Sequence, residues 1–327
     1  MAHQLTIRAN GVAEMAYAGE KAWHRLGNEL EFGASIDEWK KSAGMDWEIL
    51  KAPVTYTFGN ETKLIDDRFV LHRSDTGLPL GVVSNQFKLD GVQPGDVLEF
   101  FRDLTTANGF QLETAGTLFG GKRFWALANI GESAVISGAD MVGGYLLLST
   151  GADGTIATTA DFTTVRVVCN NTLSMALNRK SKAGVTIGHR SAFDAATVKD
   201  QLGIARGEFG KFVSAMRDLS KVAVSERDAA AMTLEIVAPK EAEQGDGASM
   251  KTLESKPYNK ILALFKGDGM GANMQGAAGT AWGWVNAVTE YTDHHARAHT
   301  ADNRMNAAFF GKGNDLKTRA VEIAMAL

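Results

Sequence analysis

Hydrophobic and polar positions along the N-terminal half alternate in short runs bounded by turn residues, the pattern of half-buried strands. Strand-like runs occupy 47–58, 63–72 and 80–89, separated by Gly-Asn and by Ser-Asp-Thr-Gly, and predict an antiparallel meander. Ahead of them, Ser35 and Glu38 stand three apart as a capping box, predicting a short helix through Ala43 that Gly44 ends. Pro94 suits a first helical position; Val97, Phe100, Phe101 and Leu104 keep helical spacing up to Asn108-Gly109. A hairpin over 110–119 and 122–130 turns at Gly120-Gly121, and a second one joins 145–150 to 155–160. A further strand over 163–169 runs into a helix starting near Asn171.

Beyond about residue 193 the period becomes helical. Val198, Leu202, Phe209, Phe212, Met216 and Leu219 form one stripe, and Ser225 with Asp228 caps a helix that ends at Pro239. The stretch 238–257 is polar and reads as a linker or mobile loop. After it come a helix over 260–265, a glycine-rich loop over 267–279 and helices over 280–299 and 302–326. The fold class is therefore α+β, with a mostly antiparallel β-sheet and packed helices in the N-terminal half and a helical C-terminal half. The expected organisation is a core domain over 1–193, a helical extension over 194–237, the linker over 238–257 and a helical region over 258–327.

Composition narrows the function classes. At 327 residues, 45% hydrophobic and 22% charged, the chain is ordinary globular material. No apolar run reaches the roughly 20 residues of a membrane span, and the N-terminus has no signal-peptide pattern, so the expected compartment is the cytoplasm. Cys169 is the single cysteine, which excludes an intrachain disulfide and fits a reducing environment. The net charge of −4 is unevenly spread: residues 162–190 hold Arg166, Arg179, Lys180, Lys182 and Arg190 and no Asp or Glu, leaving −9 for the rest. Such an island can hold phosphate while the acidic remainder steers a polyanion to one face, or it can be a solvated loop and helix end.

Two strands bear on that choice. Along 122–130, alternation puts Phe124, Ala126, Ala128 and Ile130 on one face and Arg123, Trp125, Leu127 and Asn129 on the other. The first face is core; the second combines a cation with an aromatic, as single-strand binders do, unless a second layer covers it. Along 165–169, Cys169 falls with Val165 and Val167 as a buried small hydrophobe, while Arg166 points the other way. Candidate nucleic-acid contacts are thus Lys122, Arg123, Trp125, Arg166, Arg179, Lys180, Lys182, His189 and Arg190. Asn170 and Asn171 join them as donors at the expected helix start.

Enzyme motifs are thin. His295 and His299 stand four apart on a predicted helix, but Ala296 stands where a metalloprotease would carry its Glu. Residues 267–272 match GxGxxA only loosely, without the strand before it or the helix directly after it, and Gly311-Lys312-Gly313 lacks the rest of a Walker loop. No cofactor is expected. Trp282, Trp284, Val285 and Val288 read as core or as a subunit contact.

The segment GTAWGWVNAVTEYTDHHARAHTADNR (279–304) reads as a family signature. With AWHRLG (22–27), VRVVCNNTL (165–173) and AAFFGKGNDLK (307–317), it resembles a phage- and plasmid-borne family often called phage/plasmid-like proteins. The coarse order of elements is also similar to the βββα-containing core of the phage Redβ, RecT and Rad-type single-strand annealing proteins. That similarity implies a non-catalytic protein of phages or mobile elements, binding single-stranded DNA in recombination and assembling into homo-oligomers. Two other expectations stay open: an accessory or anti-defence protein that binds a host protein, and a metal-dependent nuclease using Glu290, His294, His295 or His299.

Overall fold

A computed structural model describes residues 7–8, 11–19, 27–89, 92–99, 102, 110–166, 168, 171–174, 184–187, 207–244 and 248–327. The fold is α+β, with sheets in the N-terminal half and helices in the C-terminal half. Its strands are β1 (Met15–Ala18), β2 (Asn28–Leu30), β3 (Ile49–Phe58), β4 (Glu61–Arg73), β5 (Pro79–Ser84), β6 (Gln111–Leu118), β7 (Arg123–Ser137), β8 (Asp140–Gly151), β9 (Thr158–Arg166), β10 (Asn171–Ser174) and β11 (Gly184–Ile187). Its helices are α1 (Ile36–Ser42), α2 (Gly207–Leu219), α3 (Glu226–Val237), α4 (Pro239–Gln244), α5 (Met250–Leu253), α6 (Lys256–Ala263), α7 (Ala281–Glu290), α8 (Ala301–Phe310) and α9 (Lys312–Met325). Wider π-helical turns follow α6 at Leu264–Asp268 and α7 at Tyr291–His295.

The chain forms two compact units: Met1–Gly131, Leu146–Asp161 and Gly184–Ile204 make one, and Glu132–Tyr145, Phe162–Ala183 and Ala205–Leu327 make the other. The division is interleaved along the chain. Strands β7, β8 and β9 each give residues to both units.

In the first unit, strands run β9-β8-β7-β6-β1-β2 with β11 also on β9, and β3-β4-β5 forms a separate antiparallel meander. The meander matches expectation, except that β5 stops at Ser84, where Phe87 N–H donates to the Ser84 carbonyl at 3.1 Å. Helix α1 begins with the full Ser35/Glu38 capping box and is followed by Gly44 at φ 73°. Strand β1, MAYA, is buried throughout, and its four residues are too few to show a period in sequence. On β7, Phe124, Ala126 and Ala128 are fully buried and Ile130 nearly so.

In the second unit, β10 pairs antiparallel with β9, Asn171 opposite Arg166. The helix expected near Asn171 is therefore a strand. Residues 158–166 form one strand, not two. The stripe on α2 is buried at Phe209, Phe212, Met216 and Leu219, and α3 carries the expected Ser225/Asp228 capping box. The polar stretch 238–257 is not simply a linker: it holds α4 and α5, tied by Ser249 N–H and Oγ–H donating to the Glu241 carboxylate at 2.9 and 3.0 Å. The expected helix over 302–326 breaks at Gly311, whose extended backbone (φ −127°, ψ −154°) separates α8 from α9.

Candidate functional site

A buried ion-pair network supports the turn between β6 and β7 in the first unit. The Arg73 guanidinium donates to both Glu14 oxygens (3.1 and 2.8 Å) and to both Asp75 oxygens (2.9 and 2.8 Å). It also reaches the Gly120 carbonyl at 3.2 Å and lies 4.3 Å from the centroid of the Trp47 ring. Burial alone would lower the Arg73 pKa, but the Asp75 and Glu14 carboxylates outweigh it and hold the guanidinium above its ordinary value. Thr117 hydroxyl donates to Glu14 in turn. Trp47 meets Phe124 edge-on at 6.1 Å.

On this base sits a strained segment. Phe119 has φ 55°, the one positive φ at a non-glycine residue among those described, followed by Gly120 and Gly121 at 70° and 95°. A Cβ on Gly121 would come within 2.6 Å of the Trp47 ring, so the turn needs glycine there for space as well as for angle. A left-handed aromatic persists only where surroundings over-determine it. The Arg123 guanidinium lies 5.8 Å over the Phe119 ring and donates to Thr155 Oγ1 at 3.2 Å, and Lys122 is exposed beside it.

Of the candidates read from sequence, Lys122 and Arg123 thus lie together at an accessible turn. Trp125 does not: it is 2% exposed, because both faces of β7 are covered and not only the Phe124 face. Arg166 is also 2% exposed and is fully engaged within the second unit, which removes it as a groove cation. Asn171 lies in β10, so no helix N-terminus presents its amide. Asn170, Arg179, Lys180, Lys182, His189 and Arg190 lie outside the described residues, as does Cys169.

The signature segment 279–304 folds as the core of the second unit. Thr280 caps α7 by accepting from Gly283 N–H. A Cβ at Gly283 would sit 1.8 Å from the Ala277 carbonyl oxygen, so the glycine-rich loop packs directly on the helix backbone. Trp282 and Trp284 are buried, donating from Nε1 to Asp140 Oδ2 at 2.8 Å and to Thr233 Oγ1 at 3.0 Å. Arg166 pairs with Asp140 and donates to the Met270 and Gly271 carbonyls at 3.2 and 3.1 Å, fixing the loop from one side. Glu290 Oε2 accepts from Met270 N–H at 2.9 Å and fixes it from the other.

The expected helix over 280–299 is regular only to Glu290, turns as a π-helix to His295, and then ends. His295 and His299 therefore do not share a helical face. Arg304 donates to the His294 carbonyl at 2.6 Å, and Lys317 to Asp293 at 2.9 Å, both being buried acidic and basic partners in the latter case. Among the described residues no group of three or more His, Cys, Asp or Glu is placed to hold a metal ion.

The two π-helical turns border a cavity of about 730 Å³, lined by Lys256, Lys260, Asp268, Tyr291, His295 and Arg297 together with Pro257, Asn259 and Ala263. His295 Nε2 lies 3.5 Å from Glu290 Oε1, so the carboxylate that ties down the loop also orients the imidazole. Irregular π-turns recur at functional sites because they re-aim side chains from an otherwise regular helix. In the sequence His295 stands out as a candidate metal ligand and Tyr291 and Arg297 only as part of the signature, while nothing marks Lys256, Lys260 or Asp268. The polar EYTDHHAR run closing an apolar helix was the available signal.

No curated protein and no solved structure matches this chain. Among the described residues no helix is long and apolar enough to cross a membrane. A model for a domain of unknown function, DUF932, matches residues 79–310, which take in the aromatic turn, the buried Arg166 cluster and the cavity. Because that match covers more than half of the sequence, the chain belongs to the DUF932 family.

Proposed function

We propose that this protein is a non-catalytic single-stranded DNA-binding and annealing protein of a phage or mobile element, working as a homo-oligomer in the host cytoplasm. The observation that carries the reading is the Phe119–Arg123 turn. An aromatic ring held in a strained conformation beside two cations combines base stacking with phosphate attraction, the two components of sequence-independent strand binding. The Glu14–Arg73–Asp75 network behind it means little is left to order on binding. Trp125 and Arg166 support the fold of this protein and not its DNA contacts.

The test is anisotropy of a labelled single-stranded oligonucleotide across a salt series, alongside duplex, for the native chain, for Lys122→Glu/Arg123→Glu and for Phe119→Ala. The reading expects salt-sensitive single-strand binding that weakens at least tenfold in the double variant and less in Phe119→Ala. Absence of binding at low salt, or binding indifferent to all three substitutions, overturns it.

A second reading, an accessory protein that binds a host protein, is favoured by the outer half of the β3–β4 hairpin. β5 pairs only with residues 68–72 of β4, so residues 54–65 project as two strands. They expose Tyr56, Phe58 and Leu64, Phe58 at 70%. Capture of a host protein lost in Tyr56→Ser/Phe58→Ser, with oligonucleotide binding absent, selects this reading.

A further inference from the structure

The cavity between the π-helical turns has the charge and size of a ligand site distinct from the aromatic turn. Lys256, Lys260 and Arg297 face it with one carboxylate, Asp268, a net charge of +2. Each of those three cations lacks an ion pair or hydrogen bond to any described residue, although the surface salt bridges elsewhere show that carboxylates are available to this chain's lysines and arginines. Cations gathered around a concavity without a protein partner repel one another, and an anion in the cavity would relieve that repulsion. Lys260 and Tyr291 are half-buried, whereas Lys256, Asp268 and Arg297 are exposed.

Size and lining refine the ligand. A volume of about 730 Å³ lies within the range of roughly 300–1,000 Å³ typical of small-molecule sites and is far larger than an inorganic anion requires. Pro257, Ala263 and the Tyr291 ring give an apolar wall beside the cations. Burial raises the Tyr291 pKa, so the phenol stays neutral and a donor, adding no negative charge against an anion. We propose that this pocket binds a phosphomonoester on an aromatic or apolar body, its phosphate among Lys256, Lys260 and Arg297 and its body against Tyr291 and Pro257. A dianionic phosphate matches the +2 of the lining, and three cation stems leave room for charge-assisted hydrogen bonds to its oxygens. The proposal rests on residues of the second unit alone and stands or falls separately from strand binding at the Phe119 turn.

Two sources share this chemistry, a free nucleotide-like metabolite and the phosphorylated end of a nucleic acid, and calorimetric titration of the full chain separates them. The probes are adenosine 5′-monophosphate, adenosine, inorganic phosphate, and a tetranucleotide with and without a 5′-phosphate. The phosphomonoester is expected to bind at least about tenfold more tightly than adenosine, since charge-assisted bonds are roughly twice as strong as neutral ones. Saturation by the monophosphate assigns a free ligand; saturation by the 5′-phosphorylated tetranucleotide alone assigns a strand end; either supports the pocket. Lys260→Met and Arg297→Met should each weaken binding, whereas Asp268→Asn, which removes the one opposing charge, should strengthen it, and Lys122→Glu/Arg123→Glu should leave the binding of adenosine 5′-monophosphate unchanged. Opposite signs for Lys260→Met and Asp268→Asn distinguish a charge effect from general loss of fold, which thermal melting of each variant monitors. Equal affinity for adenosine and its monophosphate, no binding of any probe at millimolar concentration, or weakening by Asp268→Asn overturns the proposal.

Discussion

Arg166 and Asp140 form a two-pronged ion pair closed off from solvent, Nε to Oδ1 and Nη2 to Oδ2 at 2.8 Å each. Trp282 Nε1 donates to the same Oδ2, so one carboxylate gathers a strand arginine and a helix tryptophan. Removing one partner of such a pair strands the other charge in a medium that cannot solvate it. Arg166→Ala is therefore expected to destabilise the protein by about 3–5 kcal/mol, read as a lowered urea midpoint. The double variant Arg166→Met/Asp140→Leu should recover much of that loss. A native-like midpoint for Arg166→Ala would show that the pair is solvated after all.

The same burial separates two cations, Lys122 and Arg166, that look alike in sequence. If strand binding runs through the turn at Phe119, Lys122→Ala removes one phosphate contact and lowers the slope of log K against log salt by about 0.7. Arg166→Ala, by contrast, should reduce the amount of folded protein without altering the slope of what remains. Equal slopes for native chain and Lys122→Ala would take Lys122 out of the interface.

Glycines at two positions act by space. Gly283→Ala drives a methyl into the Ala277 carbonyl and Gly121→Ala drives one into the Trp47 ring, the latter at φ 95°. Overpacking of this kind costs about 1–3 kcal/mol, and Gly283→Ala should exceed Gly121→Ala because a backbone carbonyl cannot swing aside as a ring can. Thermal unfolding of the two variants in parallel reads the order. Gly210→Ala, inside α2 with nothing within 4 Å, is the control without overpacking and should stabilise by about 0.5–1 kcal/mol through helix propensity.

What was legible in the sequence was local. Both capping boxes involve residues three apart and need nothing distant, so Ser35/Glu38 and Ser225/Asp228 declare their helices unaided. The meander was legible for the same reason, its turns lying between adjacent runs. Burial of Arg166 is not legible because a period of two assigns faces but does not say whether the second face is covered. Strand β10 looks helical in sequence because its four residues carry little period of their own, and pairing with β9 decides them. The cavity is not legible in sequence because the Lys256/Lys260 pair on α6 and Asp268 just after it lie about thirty residues from Tyr291 and Arg297, and the π-turns after α6 and α7 bring the two stretches together.

Acid should weaken the base of the Phe119 turn. The hydrogen bond from Arg73, opposed by partial burial and aided by its charge, holds the Asp75 carboxyl below its ordinary value. A depressed folded pKa contributes stability that is complete above the unfolded value near 3.9 and is lost as pH falls through the folded one. Stability should thus decline below about pH 4, and Asp75→Asn should show a shallower decline over that window. Urea midpoints at pH 6 and pH 3 for both proteins give the difference, and parallel declines would mean the pair contributes nothing to it.

Alkali probes the cavity in the opposite direction. Burial raises the Tyr291 pKa, so the folded protein holds the phenol proton more tightly than the unfolded chain does. The contribution is complete below the unfolded value near 10 and is lost as pH rises through the folded value. Phenolate absorbance should show two tyrosines titrating above the ordinary range, Tyr17, raised by burial and by Glu29, and Tyr291, and Tyr291→Phe should remove one of them. The Tyr291→Phe variant also keeps the ring while deleting the hydroxyl, so its stability should depend less on pH above 10. Should the late-titrating absorbance be undiminished in Tyr291→Phe, the Tyr291 hydroxyl faces open water, and the aromatic wall of the cavity is more open than its half-buried ring implies.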